Sequence, residues 1–293
     1  MSVPFIYFSD FKVPTSADLD LFEMASRRAP LHGDIIISTF PRCGTTLIQH
    51  IVFLLLRGGK PADSIVEVLD AIPFPEQDGL PDGVQPMALK YHLPFRLTPF
   101  SKDARYIYVA RNPKDACVSY YHFLKQDLPG YEIKNFDYFY EAFLSGQLPH
   151  GDILDHILEW YEASTKYSNI FFTTYESLVK KKEDVVRDLA KFLGLARLDH
   201  TTMRNVIYYS SFEYMRSLAT RNDAYKKYLQ ATSQKGKEKK ETYPEMIRKG
   251  LIGDWRNLFS EDQSRRMDEH FEAKMKNLRF SFGWTKDMLY KKN

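Results

Sequence analysis

Asp34-Ile-Ile-Ile-Ser-Thr-Phe-Pro-Arg-Cys-Gly-Thr-Thr-Leu47 reads as a buried strand, a tight turn and the opening of a helix. Pro41 stiffens the turn, and Gly44 permits a positive φ or a close approach of another group. Thr45 and Thr46 stand where the helix begins. Such a handover is an anion cradle, because first-turn N–H groups converge on one point and the helix dipole favours negative charge there. Arg42 adds a permanent charge and a planar donor fork. The segment lacks both the G-x-x-x-x-G spacing and the lysine of the nucleoside-triphosphate loop. A plain strand-to-helix turn capped by threonine is the competing reading.

Working outward, short apolar runs without strict alternation recur at 35–40, 104–110 and 169–174, with a further short strand at 87–91. Between them lie patterns that predict helices at 45–57, 63–70, 113–126, 135–145, 152–166 and 177–193, the last closed by Gly194. Buried strands alternating with helices predict an α/β fold, a single domain over 1–293 with a central, mostly parallel sheet flanked by helices. Beyond residue 195 the strand signal fades; helices are predicted at 199–207 and Glu261–Lys276. The charged stretch 219–247 is a candidate lid, with a plain surface loop as the alternative.

Composition bounds the function. The chain has 293 residues, 44% of them hydrophobic and 27% charged, and a formal charge of +3 that gives no case for nucleic acid. Lys235-Gly-Lys-Glu-Lys-Lys240 reads either as a solvated loop or as a site for a small, highly charged anion. Aromatic residues make up 15%, either a well-filled core or an aromatic-lined pocket. Two cysteines, Cys43 and Cys117, exclude a disulfide framework and a cysteine metal cage. The start has no signal-peptide pattern, and Ile51–Leu56 is too short to span a bilayer, so the chain reads as cytoplasmic with no membrane partner.

Three further clusters carry chemistry. In Leu89-Lys90-Tyr91-His92-Leu93-Pro94, strand periodicity puts Lys90 and His92 on one face. The lysine disfavours the imidazolium, so the ring is suited to act as a base near neutrality. A polar strand end facing solvent is the alternative. In Val109–Ser119, Arg111 sits at the mouth of a buried strand, where open parallel sheets bind ligands, and Ser119 lies two turns along the helix that Pro113 opens. Arg111 and Ser119 together suit a second phosphate; a local Arg111–Asp115 pair is the plainer reading. In Met246–Trp255, Arg248, Lys249 and Gly250 make a compact cationic turn. Basic and hydroxyl groups spread along the chain, without an aspartate-rich magnesium site, point to a nucleotide held by direct protein contacts.

These segments resemble the cytosolic sulfotransferases, which move a sulfuryl group from 3′-phosphoadenosine 5′-phosphosulfate (PAPS) to a hydroxyl or amine. The family's T-Y-P-K-S-G-T-T-W is matched by Thr39–Leu47, and its K-T-H-L-P by Lys90–Pro94. R-N-x-K-D-x-x-V-S-x-Y-x-F is matched by Arg111–Phe123, and R-K-G-x-x-G-D-W-K by Arg248–Arg256. The resemblance implies a P-loop-NTPase-like sulfotransferase fold and no metal. It implies that Arg42, Cys43, Gly44, Thr45 and Thr46 hold the 5′-phosphosulfate, and that Arg111, Ser119, Arg248, Lys249 and Gly250 hold the 3′-phosphate. It assigns adenine contacts to Leu47, Tyr175, Ser210, Phe212 and Met215. His92 is then the general base, Lys90 and Arg42 support charge on the transferred group, and Phe74 and Phe123 border the acceptor. The product is 3′-phosphoadenosine 5′-phosphate (PAP).

Four departures from the family pattern stand out. Arg42 replaces a lysine, Leu47 replaces a tryptophan, and Cys43 replaces a serine, so that a thiol sits beside charge, either with a lowered pKa or packed and inert. In the segment Arg256–Arg265, matched to the family's K-x-x-x-T-V-x-x-x-E dimer contact, Glu261 and Arg265 replace valine and glutamate; a monomer or an atypical homodimer is expected. The expected acceptor is a small phenol or catechol, such as the catecholamine dopamine, with steroids and aliphatic alcohols open. The rival is a catalytically weak nucleotide-binding relative that sequesters ligand. A kinase-like enzyme is disfavoured by the missing lysine loop and metal-binding aspartate.

Overall fold

The computed structural model describes residues 3–80, 85, 87–125, 132–195, 198–221, 247–276, 278 and 282–290. The lid expectation at 219–247 and the basic run 235–240 therefore fall almost wholly outside the described residues.

Two short strands, β1 (Ile6–Phe8) and β2 (Phe11–Val13), form an antiparallel hairpin, followed by α1 (Leu19–Arg27). The central sheet holds β3 (Ile35–Ser38), β4 (Leu89–Tyr91), β5 (Arg105–Ala110) and β6 (Ile170–Thr174), all parallel, in the order β4-β3-β5-β6. Helix α2 (Thr45–Leu56), α3 (Ile65–Ala71) and the single turn α4 (Pro75–Asp78) lie between β3 and β4. Helices α5 (Pro113–Lys125), α6 (Phe136–Leu144) and α7 (Ile153–Lys166) lie between β5 and β6. After β6 come α8 (Tyr175–Lys180), α9 (Lys182–Phe192), α10 (His200–Tyr209), α11 (Phe212–Thr220) and α12 (Glu261–Met275).

The strands are buried on both faces, which is why they read as continuous apolar runs. Alternate residues divide between two cores: Tyr106 and Tyr108 face one, Ile107 and Val109 the other. The first core is aromatic, with Phe139, Tyr140, Trp160, Trp255 and Trp284 all fully buried. The second, against α2, α3 and α9, is mainly aliphatic. Most of the aromatic content thus fills one side of the sheet, as the plainer reading of composition held.

The helix expected over 177–193 is two helices, α8 and α9, broken at Lys181 (φ −133, ψ 39). Gly194 does close α9: it has φ 73, its N–H reaches Lys191 O, and Leu195 N–H reaches Ala190 O, a Schellman pair. Because β4 and β5 flank β3 on opposite sides, the crevice beyond the carboxyl ends of β3 and β5 is the topological switch point. The turns after β3 and β5 are the two that carry the strongest sequence signals. Among the described residues, no helix is long and apolar enough to cross a membrane.

Candidate active site

Helix α2 opens at the switch point. Its N-cap, Gly44, has φ 99 and no side chain to cap the helix, so the first-turn N–H groups of Thr45, Thr46 and Leu47 are left for a ligand. A side chain at Gly44 would be strained, and its Cβ would stand 2.8 Å from Cδ2 of Tyr175. Arg42 also has a positive φ, of 66, an uncommon state for a residue with a side chain. Its carbonyl accepts a 2.8 Å hydrogen bond from Arg111 Nη1, its Nε donates to Ser119 Oγ at 3.3 Å, and its guanidinium lies 4.8 Å over the Phe123 ring.

A cavity of roughly 600 Å³, within the range of small-molecule sites, runs along this edge. Around it lie Arg42, Gly44, Thr45, Thr46, Leu47, Phe74, Lys90, His92, Arg111, Ser119, Phe123, Tyr175, Ser210, Phe212, Met215, Arg248, Lys249 and Gly250. Residues scattered over some two hundred positions are thus brought to one wall. Cys43 is the exception. It is fully buried, its N–H is tied to Phe40 O at 3.2 Å, and burial pushes its thiol far up despite Arg111 and Arg42 nearby. The alternative of a reactive, low-pKa thiol is corrected by this packing.

His92 lies one residue past β4, wholly enclosed but for its cavity edge. Its Nδ1 is 2.7 Å from the carbonyl of Thr39. A carbonyl only accepts, so Nδ1 carries the proton and Nε2 keeps a free lone pair for the cavity. Burial first, then Lys90 and His150, hold the ring well below the usual histidine range. Two more neutral histidines pack around it. The His150 ring lies 5.6 Å away, held down to about 3 by burial, and His156 Nε2 donates to His92 O at 3.2 Å while its Nδ1 accepts from Tyr108.

Lys90 shares the Phe74 ring with His92: its Nζ is 3.6 Å from the ring centroid, and the His92 ring meets Phe74 edge-on at 5.2 Å. Burial lowers Lys90 to about 8, against the pull of Glu76 and Asp78. Thr39 Oγ1 bonds Thr45 Oγ1 at 2.6 Å, so one residue joins the helix start of the anion cradle to the histidine.

The cationic turn is organised by carboxylates. Asp254 pairs with Arg248 at 2.7 Å and Lys249 at 2.8 Å, and Asp115 accepts the N–H groups of Gly253 and Trp255. Asp115 thus docks the 253–255 turn by direct hydrogen bonds, while the charge of Arg111 nearby also offsets the cost of its burial. Arg111 spends Nη1 on Arg42 O and Nη2 on Leu251 O and lays its guanidinium 4.3 Å over Tyr175; its Nε and that of Arg248 are buried without a partner among the described residues. Gly250, with φ 67, lets Phe212 approach so closely that a Cβ would lie 2.4 Å from its ring.

Sequence reasoning missed Thr39, Glu76, Asp254 and Gln49, which lines the cavity and donates to Ile72 O at 3.3 Å. Gln49 had a signal, since it stands one turn beyond Thr45 on the same helix face. Asp254 lay within the quoted R-K-G motif, whereas nothing near Glu76 in sequence marks it.

The chain matches the sulfotransferase domain family over residues 32–279. It is 32% identical over 264 residues to sulfotransferase 1E1 of Mus musculus and 33% identical over 266 residues to sulfotransferase 1C2 of Oryctolagus cuniculus, covering 85% of each chain in both cases. Among solved structures, a mouse sulfotransferase complexed with PAP superposes with a TM-score of 0.72 at 23% identity, covering 93% of this chain and 94% of the other. A retinol dehydratase complexed with retinol and PAP gives 0.73 at 20% identity, covering 96% and 92%. At these identities the two structures show a shared fold.

Proposed function

The chain belongs to the sulfotransferase family, and we propose that it transfers the sulfuryl group of PAPS to the hydroxyl or amine of a small, flat acceptor. The observation that carries the proposal is the junction at Thr39. It sets a neutral histidine with a free Nε2 beside an uncapped helix N-terminus, within one cavity.

The donor set fits a bisphosphate nucleotide. Open first-turn N–H groups, the Thr45 and Thr46 hydroxyls and Arg42 suit its 5′ side. The Nε atoms of Arg111 and Arg248, unpartnered among the described residues, with Ser119, Lys249 and the main chain at Gly250, suit a 3′-phosphate. Leu47, Tyr175, Ser210, Phe212 and Met215 are the adenine candidates. PAPS supplies the sulfuryl group and leaves as PAP. His92 Nε2 takes the acceptor's proton, a role worth about 10²–10⁴ in rate. Lys90 and Arg42 present fixed positive charge where negative charge grows as the S–O bond breaks, so they stabilise the transition state more than the ground state. Phe74 and Phe123, with Leu69 and Ile72, give the acceptor end an apolar character that favours phenols and catechols.

The test is transfer of labelled sulfate from PAPS to a panel of phenols, catecholamines, steroids and aliphatic alcohols, with PAP binding measured alongside. Turnover on at least one flat hydroxylated acceptor is expected. PAP binding without transfer to any acceptor would instead favour the sequestering relative.

A further inference from the structure

Glu76 has no part in the transfer as set out above, yet it is 1% exposed and lies directly behind the base. It belongs to the single turn α4, and its Oε1 accepts the His92 main-chain N–H at 2.7 Å. Its second oxygen, Oε2, is buried without a hydrogen-bond partner among the described residues. A buried carboxylate that leaves one oxygen unpaired is costly, so burial favours the protonated acid.

The same stretch grips both members of the pair. Lys90 N–H donates to Pro73 O at 2.9 Å, Phe74 lies against Lys90 Nζ and His92, and Glu76 holds the His92 main chain. The charged and titratable groups that face Lys90 are Glu76 and Asp78 from α4, Arg42 from the turn after β3, His92 beyond its own strand, and His150 before α7. Glu76 and Asp78 favour the ammonium; Arg42 opposes it. Glu76 itself is raised to about 8 by burial, with His92 N–H and Lys90 pulling the other way. Below about pH 8 the Glu76 carboxyl is therefore mostly protonated, and its hold on the site is the hydrogen bond from His92.

We propose that Glu76 is a positioning residue for sulfuryl transfer, which fixes the His92 main chain and thereby the placement of His92 and Lys90 against the stretch Pro73–Glu76. This rests on the roles given to His92 and Lys90 above. Glu76→Gln keeps a carbonyl oxygen for the His92 N–H; Glu76→Ala removes it.

Glu76→Ala should lower kcat several-fold at every pH, while PAP affinity and acceptor KM stay near wild type. Glu76→Gln, which keeps the acceptor oxygen for the His92 N–H, should recover most of that loss. An undiminished kcat in folded Glu76→Ala, or a Glu76→Gln as slow as Glu76→Ala, overturns the positioning role. Wild-type protein that transfers sulfate to no acceptor would count against the proposed function, a result separate from the comparison of the two variants.

Discussion

Gly44→Ala puts the anion cradle under a load whose size follows from the structure. At φ 99 a residue with a side chain is strained by ~1–2 kcal/mol. The added Cβ would also stand 2.8, 3.5 and 3.7 Å from three atoms of the Tyr175 ring. That ring cannot retreat freely, because it is 7% exposed and carries the Arg111 guanidinium on its face. Overpacking of this kind costs about 1–3 kcal/mol. The two together predict a loss of about 2–5 kcal/mol, or roughly 3–8 °C in Tm for a chain of this length. Displacing Tyr175 also moves Arg111 and tilts the first-turn N–H groups, so PAP should bind at least about tenfold more weakly, some 1.4 kcal/mol. Calorimetric unfolding and titration with PAP measure both effects. A double-mutant cycle with Tyr175→Ala separates them, since shrinking the ring relieves the packing share and leaves the backbone share. Wild-type Tm and PAP affinity in Gly44→Ala, or no coupling to Tyr175, would refute the reasoning.

Two other outcomes follow from the charges at the site. Burial lowers Lys90 to about 8, so its ammonium is lost as pH rises through that value, and kcat should fall there. His92 is held well below the usual range, so it stays neutral and the acid limb of kcat should lie below 6.5 in a pH–rate profile. Arg42→Lys keeps the charge but loses the Nε bond to Ser119 and the stacking on Phe123. Loss of one charge-assisted bond, about 1.5–3 kcal/mol, should lower kcat/KM roughly tenfold or more; an increase would show that arginine is a handicap at this position.

The strands of the sheet were legible because burial on both faces leaves an unbroken apolar run, as in Ile35–Ile37 and Tyr106–Ala110. The hairpin β1–β2 and the helix α1 were not: β1 has no buried residue and β2 only two, and α1 has only two, Phe22 and Ala25. The break at Lys181 carries no glycine or proline to announce it. At the site, short contiguous patterns marked Arg42–Leu47, Lys90–His92, Arg111–Ser119 and Arg248–Gly250. Glu76 stayed hidden because its contact is with a main-chain N–H sixteen residues away, which leaves no constraint on neighbouring side chains. The sequence left both a reactive and a packed Cys43 open because it shows the charges beside the thiol but not the burial that outweighs them.

The proposed mechanism depends on His92, its tautomer set by Thr39, taking the acceptor's proton during sulfuryl transfer. Single-turnover transfer of labelled sulfate from PAPS by wild type and His92→Ala, with PAP affinity measured on the same samples, probes that step. Wild type should transfer measurably, His92→Ala should be slower by about 10²–10⁴, and PAP affinity should stay within about threefold, under 0.7 kcal/mol. Transfer by His92→Ala at the wild-type rate would rule His92 out as the base.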